Sequence, residues 1–139
     1  MKHKQIIFMV SCLTFMTGNL YSQMRNTPDS VINKEFKILK IDSIKNIYVI
    51  YAEQNDSVYK ILSEKEDMCN CLNVELNNTY ILSIKSYFGP GVIIQRLAGA
   101  RYQGSVIPIK DETDEKNVLR DLYLSDDIKG KCYIRKDEQ

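Results

Sequence analysis

The chain contains no tryptophan and a single histidine, His3. That residue lies in a segment that reads as a cleavable export signal, so the processed chain would hold no imidazole. A histidine general base, a Ser-His-Asp triad and a histidine metal site are thereby excluded from it. Charge of one sign is also lacking, since 19 Lys and Arg face 18 Asp and Glu. Such a balance supplies no bulk basic field for nucleic acid or a membrane surface. No apolar run approaches the roughly 20 residues a spanning helix needs. Glycine and proline, with 6 and 3 copies, mark no repeat, low-complexity tract or linker. A single domain is expected.

What is present begins with the export signal, residues 1–22. Lys2, His3 and Lys4 form a basic start, and Ile6 to Met16 is an apolar centre broken only by Ser11, Cys12 and Thr14. Leu20-Tyr21-Ser22 then leads to a cut before Gln23. Cys12 follows Met9-Val10-Ser11 and offers a lipid-attachment alternative. It is the weaker reading, because the apolar run continues through Phe15 and Met16. Cleavage also removes Lys2 and Lys4, leaving 17 basic groups against 18 acidic ones. The expected location is periplasmic or secreted, with no transmembrane segment in the mature chain. Residues 23–34, with Pro28 and small polar side chains, read as a flexible leader. Residues 35–135 read as one β-rich domain.

The strongest folding signal is Asn46 to Leu62. Ile47-Tyr48-Val49-Ile50-Tyr51-Ala52 is an uncharged run of β-branched and aromatic residues, so both faces of that strand should be covered. Glu53-Gln54-Asn55-Asp56 reads as a four-residue loop, and Ser57 to Ser63 as the returning strand. Upstream, residues 35–53 read as one long bent strand with a kink at Asp42-Ser43. Downstream, Glu64 to Asn73 is a charged connector and Asn77-Asn78 a turn. Tyr80 to Tyr87 is a further strand, with Tyr80, Leu82 and Ile84 on one face. Gly89-Pro90-Gly91 marks a turn. Val92 to Leu97 and Gln103 to Ile109 are strand candidates separated by Ala98 to Arg101, and Pro108 suits a strand end or edge. Val118, Leu119, Leu122 and Tyr123 share the spacing of one helical face, with Thr113 or Asp114 as cap. The expected fold is mainly β (α+β): a small twisted antiparallel sheet or partly open OB-like barrel, with one C-terminal helix.

Three cysteines follow the signal: Cys69, Cys71 and Cys132. In an oxidising compartment one disulfide and one leftover thiol are expected. Cys69 and Cys71 lie too close in sequence for a relaxed bridge. Either can pair with Cys132 across a loop worth roughly 4 kcal/mol. Cys71–Cys132 is favoured, because Cys71 leads directly into the segment before the Tyr80 strand, and Cys69 is then the free thiol. Cys69-Asn70-Cys71 is a poor redox motif, with one intervening residue and acidic Glu64, Glu66 and Asp67 upstream.

No other cluster names a chemistry, so no catalytic, cofactor-binding or metal-ligating residue is assigned. Asp111, Glu112, Asp114 and Glu115 lack the spacing of a calcium loop and read as a solvated helix start. Asp126-Asp127 reads the same way. The glycines match no phosphate-binding spacing, and no serine is marked as a nucleophile. Tyr48, Tyr51, Tyr59 and Tyr80 read as sheet residues with a polar tip, while Tyr87, Tyr102 and Tyr123 are better candidates for exposure.

The order IYVIYAEQNDSVYKI, a cysteine, a turn, a tyrosine-led strand, a C-terminal helix and a final cysteine resembles small exported bacterial proteins of unknown function. The resemblance covers about residues 36–134. It implies one cysteine before the tyrosine strand and one near the C-terminus, matching Cys71 and Cys132, and it implies no activity. The expected role is a non-enzymatic exported β-domain that binds a protein or envelope component. The alternatives are a small enzyme using carboxylates or a thiol, and a structural subunit pairing through a strand edge.

Overall fold

The computed structural model describes residues 31–68 and 70–134. The export signal, the Cys12 alternative, leader residues 23–30, the Cys69 thiol and the tail from Arg135 lie outside the described residues.

Five strands close a barrel: β1 (Ile32–Ile44), β2 (Ile47–Gln54), β3 (Ser57–Glu64), β5 (Thr79–Ser86) and β8 (Tyr123–Ser125). They run in the order β1-β2-β3-β8-β5. Neighbours are antiparallel except β3 and β8, which run parallel through Ile61↔Tyr123 and Leu62↔Leu124. The barrel is closed, so the expectation of a partly open one is corrected. Closure leaves no free edge among these strands.

β1 serves two neighbours, pairing β5 from Ile32 to Lys37 and β2 from Lys37 to Ile44. A register shift between Ile38 and Lys40 gives it the bend that this requires. The expected kink at Asp42-Ser43 therefore lies at Leu39 instead. Residues 35–53 are not one strand. Lys45 takes a φ of 51° and reverses the chain, setting Ile44 opposite Ile47. The β2–β3 hairpin follows, from Ile47↔Glu64 to Gln54↔Ser57. Its turn is Asn55-Asp56 alone, with φ of 48° and 60°. Two successive left-handed residues match the twist of the flanking strands and make the turn tighter than the expected four-residue loop.

Period-2 alternation splits this hairpin into two faces. Ile50, Ala52 and Ile61 point inward to meet Phe36, Ile38, Leu82, Ile84 and Tyr123 in the barrel core. Ile47, Val49 and Leu62 point outward and are covered by Ala100, Ile107, Ile109 and Leu122. The cover is the excursion between β5 and β8. It contains the hairpin β6 (Gly99–Tyr102) and β7 (Ser105–Pro108) and a short 3-10 turn at Ile94–Arg96. Residues 92–97 are thus not a strand, whereas the small residues at 98–101 are mostly in one. A Cβ on Gly99 would lie 2.9 Å from the Ile107 carbonyl oxygen, so only glycine lets the two backbones approach there.

The expected C-terminal helix is absent. Val58 donates its N–H to the Asn117 carbonyl and accepts from Leu119 N–H, so residues 117–119 add to the end of β3 as an extended strap. Leu122 then joins the outer cluster and Tyr123 the inner one. The apolar spacing is real, but it serves two opposite faces of an extended chain. Cys71 and Cys132 are disulfide-bonded. The bond fastens a small sheet of β4 (Leu72–Asn73), β10 (Cys132–Tyr133) and β9 (Ile128–Lys129).

Candidate functional site

A lysine on the covered face of β3 must find a partner, because an unpaired buried charge costs several kcal/mol. Lys60 is 1 % exposed. Its Nζ lies 2.5 Å from Asp114 Oδ2 and donates to the Ile109 carbonyl at 2.9 Å. The carboxylate of Asp114 also accepts from the Tyr51 hydroxyl at 3.3 Å and from the Asp111 N–H at 2.8 Å. Each charge is thus matched by several donors or acceptors, the condition under which a buried pair persists. The pair holds the strap against the outer face of β2 and β3.

The strap's approach is shaped by its own turn. Asp111 Oδ1 accepts from the Thr113 N–H at 3.0 Å and from its hydroxyl at 3.1 Å. Those bonds, chiefly the backbone one, hold the exposed Asp111 carboxyl below its ordinary value. The acidic run 111–115 is therefore a folded turn with one buried member and not a solvated helix start. Burial, and after it the charge of Asp114, pushes the Tyr51 phenol well above its ordinary value, so it stays a hydrogen-bond donor. Lys40 stacks on the same ring at 5.0 Å and pairs with Asp42 at 2.6 Å.

Beside Tyr51 opens a cleft of about 200 Å³. Leu39, Val58 and Val118 give it apolar walls, and Lys40, Thr113, Glu115 and Asn117 its polar rim. Asn117 Oδ1 is buried with no hydrogen-bond partner among the described residues. An unmet buried acceptor is costly and calls for a donor from outside. The cleft is smaller than the roughly 300–1,000 Å³ typical of small-molecule pockets. Its size suits one side chain.

Comparison with family models, curated proteins and solved structures finds no match for this chain. No three His, Cys, Asp or Glu residues are grouped to hold a metal ion among the described residues. No described helix is long and apolar enough to cross a membrane.

The site residues were missed at the sequence level, although a signal existed. A strand covered on both faces cannot leave Lys60 unpaired, and the run 111–115 was a supply of carboxylates. Asp127 was missed for the same reason. It is 5 % exposed, and its Oδ2 accepts the Ser83 N–H. Tyr123 is buried in the barrel wall, whereas Tyr87 and Tyr102 stand half-buried with ring centroids 5.7 Å apart.

Proposed function

We propose that the protein is an exported, non-enzymatic binding domain whose cleft beside Tyr51 takes one apolar side chain of a protein partner. An N–H from that partner would meet Asn117 Oδ1. The carrying observation is this buried, unpartnered acceptor beside apolar walls of side-chain size. The saturated bonding of Lys60 and Asp114 supports a binding role, because neither group is left free to act as base or nucleophile. Strand order adds support by analogy. Barrel strands taken in order first, second, third, fifth and fourth, with third and fifth parallel, match an OB-like barrel. Barrels of that kind bind ligands on the face of their second and third strands. Tyr51 and Val58 lie on that outer face here. The disulfide favours an oxidising compartment, in keeping with the export signal read in residues 1–22.

A photo-crosslinker at exposed Thr113, in protein expressed in its native host, tests the reading. A discrete adduct lost in Val118→Arg is expected. An adduct pattern identical to that from a crosslinker at exposed Lys85, on β5 and outside the cleft lining, would overturn it. The strand-edge alternative draws support from the β6–β7 hairpin, a two-stranded sheet whose Val106 is 63 % exposed. Size-exclusion chromatography showing a monomer at high concentration would remove self-pairing through that edge.

A further inference from the structure

The geometry points to a second site: we propose that the barrel mouth at Tyr48, Lys65 and Lys131 binds a phosphate group. It stands on observations separate from the Tyr51 cleft. Tyr48 faces inward by alternation and packs on the core cluster at the end where β1 turns into β2. Above its ring sit two ammonium groups, Lys65 Nζ at 5.2 Å and Lys131 Nζ at 4.8 Å from the centroid.

These lysines come from distant segments, and each is held by its own frame. Lys65 donates from Nζ to the Lys45 carbonyl and from its backbone N–H to the Asn46 carbonyl, both at 2.7 Å. Lys131 is placed by its neighbours. Gly130 has a φ of 58°, and a Cβ there would lie 3.0 Å from the Glu66 carbonyl oxygen and 3.2 Å from the Glu66 nitrogen. That glycine lets the β9–β10 turn press flat on the chain after β3, beside Lys65. The Lys131 carbonyl accepts from Val74 N–H at 2.7 Å, and the next residue is the bonded Cys132.

Two like charges gathered on one ring repel each other. The ion pairs among the described residues are Lys40–Asp42 and Lys60–Asp114, so neither Lys65 nor Lys131 has a described carboxylate at ion-pair distance. Glu64 and Glu66 flank Lys65 in the chain and line a depression with Tyr102, Lys129 and Gly130. Both lysines are exposed, so water solvates them; the ring's electron-rich face holds the two ammonium groups near each other, and an anion between them would gain from both. A tetrahedral phosphate fits better than a planar carboxylate, since its oxygens can accept from ammonium groups on separate segments, and lysine binds phosphate as a point charge. The group belongs either to a lipid headgroup or to a soluble phosphate ester.

The test is an amide NMR titration of the exported, disulfide-bonded protein with inorganic phosphate at constant ionic strength, with acetate as comparison anion. Saturable shifts are expected at residues 45–48, 65 and 131 with phosphate and not with acetate. The K65Q/K131Q variant should weaken binding at least about tenfold. The K85Q/K110Q variant, with equal loss of charge at exposed lysines elsewhere, should stay within about twofold. Phosphatidylglycerol vesicles separate the sources. Cosedimentation lost in K65Q/K131Q assigns a lipid headgroup, and phosphate binding without cosedimentation assigns a soluble ester. Equal weakening in both double variants, acetate reproducing the shifts, or no saturable shift would overturn the proposal. K131R, which keeps the charge, should retain binding and so separates lost charge from lost structure.

Discussion

The two faces of the β2–β3 hairpin are both buried, yet by different means. The inner face is closed by strands that hydrogen-bond around a ring, so Phe36, Ile50, Ile61 and Leu82 are enclosed by the fold itself. The outer face is covered by one excursion, which is fastened near its end by the Lys60–Asp114 pair and by the Val58–strap backbone bonds. A ring of strands fails as a unit, whereas a fastened cover can open at its fastening. The proposed cleft lies along that fastening, where modest motion has the largest effect on access.

The comparison breaks most sharply in the core. Phe36→Ala removes a fully buried ring and should cost about 4 kcal/mol, lowering the unfolding midpoint of the whole barrel. Circular dichroism in urea should show one cooperative transition moved to lower denaturant. Next is Lys60→Met, which leaves the Asp114 carboxylate buried and unpaired at about 3 kcal/mol. Hydrogen exchange should then rise first at residues 99–119, with the amides of β1, β2 and β5 still protected. Uniform loss of protection would show that cover and barrel are one unit. The K60M/D114L double variant should regain most of the loss, because an apolar pair needs no desolvation of charge.

A smaller effect sharpens the same contrast by pH. Tyr51→Phe removes one hydrogen bond to Asp114 and should cost about 1 kcal/mol at neutral pH. The Tyr51 phenol is held above its ordinary value of 10.0, so the unfolded chain releases that proton first as pH rises. Its contribution is complete below pH 10 and is lost as pH climbs toward the folded value. The variant should therefore show a shallower alkaline decline than the wild type. The smallest effect is at Asp111. Its folded value is depressed below the ordinary 3.8, so its stabilisation is present above that pH and fades as pH falls through the folded value. Asp111→Asn should flatten this acid decline slightly, as chemical denaturation between pH 2 and 5 would read.

The inner face was the legible half. An uncharged β-branched run, two Asn/Asp turns and the Tyr80-Leu82-Ile84 alternation carry local information, and β2, β3 and β5 form where these signals lie. The cover was illegible because its side chains answer to partners far away in sequence. Val118, Leu119, Leu122 and Tyr123 have helical spacing, but backbone groups of the strap bond to Val58, and Leu122 and Tyr123 go to opposite clusters. Glycine at position 99 looked like a break between strands, when its size is what lets β7 approach. Lys60 and Asp114 are separated by more than fifty residues and meet only in the folded molecule.

The parallel pairing of β3 with β8 has a consequence for the order of folding. β1, β2 and β3 are linked by two tight turns and can assemble from nearby residues, a fast process. The ring cannot close until Tyr123–Ser125 arrives from the other end of the chain. Until then the facing edges of β3 and β5 stay open, with Ile61 and Leu82 uncovered. A chain cut short before residue 123 would therefore hold a half-built sheet with adhesive borders, and such species aggregate. Ring closure is the slow, late event, and the last strand of the barrel is its lock.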